Sequence, residues 1–442
     1  MENEINFESL NDVSYDLSSL DMDASKIDML AKLGVNTSED FNTVSDDILN
    51  EVEIQEVQAT IDINVNEPNI ILSRAELIRA LRYAGVMIKK VTNDIEASSL
   101  NITYKDEGKV EYKLKDNMTW VTIQGTCKVS NNNPLLKTLS FNTTYLTKLL
   151  SAAAGDFLIY EGNSIDAKGE EKKVLFARLI NGDYILDVFE GNEEKLIPKG
   201  NVQDLLKEVE GNKINTLCDV MSPLIADTQE VQSKRTIIYS DRAIFRSVTY
   251  LLQYKGDFTP MCLSKKELDL LKIASNGSNV EIFSTDSNGE NRILLNTPNV
   301  SISTSVSIPN RDEVLITRLN ELENAQYMRI NKNDFKRVLF LSGLGTANVA
   351  KVTMNYNVEG LGIDAKIIGK NGNSSFLISG ENYNNLPPRN EDVTIYAPQL
   401  STLLKSFESG KDLEIAFLQS GVAFRDNTLG IEAIMNYVRY WD

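Results

Sequence analysis

The sequence predicts an α+β fold with antiparallel sheets, built three times over along the chain. From residue 67 onward, valine, isoleucine, threonine and tyrosine alternate with polar residues in short runs, the period-two pattern of half-buried strands. Three extended apolar runs each lead into an amphipathic helix: NIILSRAELIRAL from Ser73, KLIPKGNVQDLLKEV from Asn201 and MRINKNDFKRVLFL from Asn331, spaced 128 and 130 residues apart. A second series lies between them: LSFNTTYLTKLLSAA from Asn142, MCLSKKELDLLKIAS from Ser264 and IYAPQLSTLLKSFES from Pro398, spaced 122 and 134 residues apart. Two interleaved series with one period of about 130 residues mark an internal repeat.

Residues 1–66 stand outside the repeat. Ile27, Leu30 and Leu33, then Phe41, Val44, Ile48 and Val52, recur at helical spacing, Gly34 can end the first helix, and Thr37 or Ser38 can cap the next. The pattern L-x-x-L-G-V-x-T-x-x-D-F is similar to small helix-hairpin-helix modules, but residues 1–60 hold 15 acidic and 2 basic side chains. A balance of −13 repels phosphate, so the segment reads as an acidic helical appendage, solvated or used to dock protein.

The repeat divides the remainder into 67–191, 192–320 and 321–442, each with two helices and about eight strands. In the first helix Ser73 and Glu76 have capping-box spacing, as do Ser264 and Glu267. At about 100° per residue, Leu77, Ile78, Leu81, Ala84 and Ile88 share one face, with Arg79, Arg82, Lys89 and Lys90 on an adjacent arc. Each helix of the second series is followed by a Gly or Ser turn and a strand, in GDFLIYEGNS, GSNVEIFSTDSNG and GKDLEIAFLQSG.

The 442 residues include 45 basic and 63 acidic side chains, a net charge of −18, and no histidine. Without histidine there is no Ser-His-Asp triad, Cys-His pair or H-E-x-x-H zinc site. Cys127, Cys218 and Cys262 are far apart and read as small core residues. No phosphate-binding G-x-x-x-x-G-K-[ST] run occurs. Asp21, Asp23 and Asp28 fail as a calcium loop, because Lys26 and Lys32 stand where glycine and glutamate are needed. No catalytic group, metal or cofactor is expected. No apolar run is long enough for a membrane span and the N-terminus is acidic, so a cytoplasmic location, in a host cell if the source is viral, is expected.

The acidity is unevenly spread. Residues 61–442 carry only −5, and the six helical segments carry +8: +4 over 74–90, +1 over 142–154, −1 over 201–213, +1 over 264–274, +2 over 331–341 and +1 over 399–411. Arg74, Arg79, Arg82, Lys89, Lys90, Lys148, Lys265, Lys266, Lys272, Lys332, Lys336, Arg337 and Lys405 are therefore candidate contacts to nucleic-acid phosphate.

Three tandem, internally doubled helix-and-strand units resemble the bacterial-type DNA polymerase sliding clamp over about residues 67–442. Locally, Arg235 to Val248 (RTIIYSDRAIFRSV) is similar to the clamp pattern R-x-x-A-T-D-G-H-R-L-A, with Tyr239, Ser240, Asp241, Arg242, Ala243 and Ile244 in the aligned stretch and the histidine missing. The resemblance implies a closed ring of two head-to-tail copies, helices facing a central hole around duplex DNA, and DNA polymerase and a clamp loader as partners. It also implies a peptide pocket between the second and third units. By position its candidates are Tyr239, Asp241, Arg242, Ile244, Pro309, Met435, Val438 and Tyr440. A structural protein of repeated β-rich domains and an accessory subunit that keeps the fold without closing a ring stay open at this point. Asparagine and isoleucine richness points to an AT-rich genome, cellular or viral.

Overall fold

The computed structural model describes residues 68–88, 96–105, 108–129, 138–152, 155–165, 171–179, 185–198, 200–226, 235–286, 291–341, 350–357, 360–367, 373–381, 389–395, 397–407 and 412–437. Lys89, Lys90, Val438, Tyr440 and the expected N-terminal helices lie outside these residues. One compact unit spans 66–160 and 175–442, and residues 161–174 group apart from it. All the described helices belong to the larger unit.

The elements come in three runs of the same order. The first is β1 (Ile70–Leu72), α1 (Arg74–Met87), β2 (Ser99–Tyr104), β3 (Lys109–Lys115), β4 (Thr119–Val129), β5 (Thr138–Asn142), α2 (Thr143–Ala152), β6 (Phe157–Ile165), β7 (Glu171–Leu179) and β8 (Ile185–Glu190). The second is β9 (Asn201–Val209), α3 (Gly211–Ala226), β10 (Arg235–Ile238), β11 (Arg242–Arg246), β12 (Tyr250–Lys255), β13 (Met261–Ser264), α4 (Lys265–Ser275), β14 (Val280–Asp286), β15 (Arg292–Thr297) and β16 (Val300–Ser305). A connecting helix, α5 (Glu313–Glu323), precedes the third: β17 (Met328–Asn331), α6 (Lys332–Leu341), β18 (Ala350–Asn357), β19 (Gly360–Ile367), β20 (Asn373–Glu381), β21 (Arg389–Ile395), α7 (Ala397–Lys405), β22 (Asp412–Phe417), β23 (Gly421–Asp426) and β24 (Ile431–Asn436). Neighbouring strands pair antiparallel, within the runs and between them.

Five of the six expected helices are present: four begin directly after Ser73, Asn142, Ser264 and Asn331, and α7 begins at Ala397, one residue before Pro398. Asn142 and Asn331 each accept two backbone N–H bonds from the first turn they precede, at 2.9–3.2 Å. The Glu267 carboxylate accepts the Ser264 backbone N–H at 2.8 Å, as a capping box requires. Ser73 precedes α1 but makes no side-chain cap bond, and Glu76 instead accepts from the Thr126 backbone N–H at 2.8 Å and the Tyr112 hydroxyl at 3.3 Å.

The helix expected from Asn201 is a correction. Residues 201–209 are strand β9, paired with β14, and the helix is α3, ten residues later. The apolar spacing of NVQDLLKEV suits a helix, but pairing with β14 overrides it. A helical pattern laid on a strand cannot keep one apolar face, and Val202, Leu205 and Leu206 all end about half exposed. Helix α3 begins where Gly211 lies against the Gly277–Ser278 backbone, so close that a Cβ would sit 2.4 Å from it. Helix α5 was also missed. Its Leu315, Leu319 and Leu322 recur at i, i+4 and i+7 behind an Asp312 cap that accepts the Leu315 N–H at 3.1 Å, and position 320, an expected boundary, falls inside it.

Two strand pairings join the runs. β4 pairs with β16, Ile123 to Thr119 against Val300 to Thr304, and β12 pairs with β24, Tyr250 to Tyr254 against Met435 to Ile431. Each thus joins the fourth strand of one run to the eighth of the next. Under the sheets the helices pack in a row, α2 on α1, α1 on α4, α4 on α3 and α3 on α7. A main apolar core fills the space between, and a smaller cluster of Ile244, Leu251, Leu315, Leu319, Leu322, Tyr327, Ala416, Ala423 and Ile434 lies where α5 meets the β12–β24 pairing. Cys218 is buried and Cys127 and Cys262 half-buried, all three as free thiols. Among the described residues no helix is long and apolar enough to cross a membrane.

Candidate nucleic-acid interface and partner surface

The basic side chains of the helix layer fall into three states. Arg82 on α1, Lys148 on α2, Arg337 on α6 and Lys405 on α7 are exposed and carry no ion pair among the described residues. These four present charge to solvent.

Others are held by the protein. Arg74 donates to the Leu150 carbonyl at the end of α2 and Arg79 to the Gln124 carbonyl on β4, each at 2.5 Å. Lys265 pairs with Asp269 at 2.5 Å, one turn along α4. Lys266 reaches Asp116 at 2.6 Å and the Thr119 hydroxyl at 2.8 Å, in the β3–β4 turn and at the start of β4. Lys272 pairs with Asp219 of α3 at 2.5 Å. Lys336 is half-buried.

Lys332 is the third state and a correction, because at 2 % exposure it is packed inside and offers phosphate no surface. It is the first residue of α6, directly after β17. Burial also raises the Tyr83 phenol on α1 to about 12, against the pull of Arg79 and Arg82, so it stays neutral beside them.

The second surface lies at the β12–β24 pairing. Tyr239, at the end of β10, donates its hydroxyl to the Asn310 carbonyl at 3.0 Å and so ties the loop before α5 to the second run. Arg242 holds Asp241 at 2.6 Å and keeps its carboxyl below the usual range, while donating to Gln253 at 3.0 Å. Pro309 is half-buried in that loop. Ile244 and Met435 are corrections: at 0 % and 1 % exposure they belong to the core beneath and present nothing to a ligand.

Three apolar residues that sequence reasoning passed over are the exposed ones here. Val248 in the β11–β12 turn is 72 % exposed, Val314 on α5 is 79 % exposed, and Ile308 beside Pro309 is 59 % exposed. A polar frame fixes the first two. Arg246 pairs with Asp312 at 3.2 Å, Arg318 donates to the Asn436 side chain, and Asn436 donates to the Val248 carbonyl at 2.6 Å. Val314 and Arg318, four residues apart, share one face of α5. The available signal was an apolar residue out of register: Val314 stands off the Leu315–Leu319–Leu322 stripe.

Solved structures similar to this chain are DNA polymerase sliding clamps. The beta sliding clamp of C. crescentus matches with a TM-score of 0.65 at 11 % identity, covering 84 % of this chain and 98 % of that one. The DNA polymerase sliding clamp of Bacillus subtilis matches at 0.63 and 12 %, and the beta subunit from DNA polymerase of Streptococcus pyogenes at 0.63 and 11 %; each covers 84 % of this chain, and 99 % and 100 % of the other. No family model and no curated protein matches the sequence. The fold is therefore the antiparallel α+β sliding-clamp fold.

Proposed function

We propose that this chain is a DNA sliding clamp, a non-catalytic processivity factor in which three domains, 67–191, 192–320 and 321–442, join head to tail with those of a second copy to enclose duplex DNA. The observation that carries the reading is the repeated joint. The fourth strand of the first run pairs with the eighth of the second, and the fourth of the second with the eighth of the third. The unmatched members are β20 and β8. Among the described residues β20 pairs with β19 over 373–379 and meets β17 only at Gly380 and Glu381, and β8 pairs with β7 over 185–188 and meets β5 only at Phe189 and Glu190, so 373–379 and 185–188 each have one strand partner. The same antiparallel joint made between β20 of one copy and β8 of another repeats the rule, covers both edges and closes a cyclic dimer.

Inside such a ring the helix row faces the hole, and exposed arginine and lysine meet backbone phosphate without reading bases, which permits sliding. A polymerase or clamp loader would dock an extended segment against Val248, Ile308 and Val314, framed by Tyr239, Asp241, Arg242 and Pro309. Tethering then keeps the polymerase at high effective concentration near the primer end. The site of action would be the cytoplasm.

Loading the protein on nicked circular DNA with its cognate loader, then linearising the circle, tests the ring. Retention on the circle and release from the ends are expected, together with a solution mass twice that of the chain. Retention on linear DNA, or a mass that stays monomeric at all concentrations, would defeat the proposal.

A further inference from the structure

We infer that contact with DNA phosphate is confined to the helices of the first and third runs, so that the phosphate-binding arcs flank each subunit junction and the middle domains face the duplex electrically neutral. This rests on the proposed ring, in which the third run of one copy adjoins the first run of its partner.

The distribution of partners carries it. On the helices, the exposed cations without an ion pair among the described residues are Arg82 and Lys148 of the first run and Arg337 and Lys405 of the third. On the middle helices every lysine already has a carboxylate: Lys213 with Glu210 at 3.5 Å, Lys265 with Asp269, Lys266 with Asp116, and Lys272 with Asp219. Two of those carboxylates, Asp219 and Asp269, stand on α3 and α4 themselves, and Asp269 also accepts the Ser222 hydroxyl at 2.6 Å. A lysine that turned to a phosphate here would leave an aspartate facing the same phosphate. The exchange of one anion for another adds no net neutralisation, and release of counterions from DNA, the main source of non-specific affinity, depends on net neutralisation. The exposed helix cations of the outer runs have no such partner among the described residues.

The consequence is a patterned hole. Two positive arcs, one across each subunit junction, alternate with two neutral arcs opposite the middle domains. A duplex would be held at the junctions and would pass the middle domains without attachment.

Fluorescence anisotropy of a fluorescein-labelled blunt duplex, titrated with the full chain over a range of sodium chloride concentrations, reads this directly. The logarithm of affinity falls linearly with the logarithm of salt, by about 0.9 per phosphate neutralised. The junction variant Arg82→Gln, Lys148→Gln, Arg337→Gln, Lys405→Gln should flatten that slope by about 0.9 for each phosphate no longer neutralised. The middle variant Lys265→Gln, Asp269→Asn, Lys272→Gln, Asp219→Asn, which removes both members of two pairs, should leave slope and affinity unchanged. If the fourfold junction variant folds poorly by thermal melting, Lys148→Gln with Lys405→Gln suffices. A slope lowered by the middle variant, or unmoved by the junction variant, overturns the inference while the ring stands. Absence of salt-dependent binding by the wild-type chain removes the ring reading and the inference together.

Discussion

The two internal joints use the same strand pairing and are locked differently. At β4–β16 the lock is local and flat. Arg292, 4 % exposed, lies over the Trp120 ring at 4.6 Å, donates to the Met118 carbonyl at 3.1 Å and to the Ser305 hydroxyl at 2.8 Å, and the Thr119 and Thr304 hydroxyls meet at 3.0 Å. At β12–β24 a buried carboxylate, Glu432, accepts from Gln253 at 2.5 Å and pairs with Lys255 at 3.0 Å, and helix α5 adds an apolar lid of Leu315, Leu319 and Leu322. The added helix packs on the second joint and carries the exposed Val314, one turn from Arg318, whose partner Asn436 donates to the carbonyl of exposed Val248. The joint with the extra element is thus the one beside which apolar side chains stand exposed.

Leu319 is wholly buried in the cluster that only the second joint possesses. Leu319→Ala should cost about 2–5 kcal/mol, and amide hydrogen exchange should accelerate in β12 and β24 while β4 and β16 keep their protection. Equal acceleration at both joints would show that they unfold as one.

Glu432→Ala leaves the Gln253 amide and a lysine without their buried acceptor and should cost about 1–3 kcal/mol by chemical denaturation. Thr304→Val at the first joint should cost about 1 kcal/mol or less, because Thr119 keeps its bond from Lys266. A reversed order would mean that the flat joint is the stronger.

The smallest effect concerns the connector between the first two runs. Hydrogen bonds from Lys113 and Lys105, both at 2.9 Å, hold the Glu193 carboxyl below the usual carboxylate range. A carboxyl lowered on folding contributes stability above its ordinary pKa and loses it as pH falls through the depressed value. Glu193→Gln should therefore lower the melting temperature slightly at neutral pH, leave it unchanged at low pH, and so reduce the acid-side decline that the wild-type chain shows. An unchanged acid limb would show that this cluster does not hold the connector.

Much of the architecture is legible in the chain because local rules and tertiary structure agree. Asn142, Ser264 and Asn331 cap helices because their short polar side chains reach first-turn amides wherever those helices pack. The period of about 130 residues survives because each unit buries the same faces. Where a local pattern competes with a sheet edge the reading fails: NVQDLLKEV has helical spacing, yet β14 draws it into β9. Charge fails for a related reason. Counting lysines locates a basic helix, but Lys265, Lys266 and Lys272 are answered by Asp269, Asp116 and Asp219, and two of those acids come from other elements.

The sequence by itself determined the class of fold, its threefold repetition, the absence of histidine chemistry and the placement of positive charge on helices in an acidic chain. Only the tertiary structure decided which cations remain exposed, that Lys332, Ile244 and Met435 are buried, and that Val248 and Val314 are exposed. The physical reason is range. Propensity, capping and periodicity act within a few residues, whereas ion pairing, burial and strand pairing depend on neighbours brought from far along the chain, such as Asp116 meeting Lys266 across 150 positions.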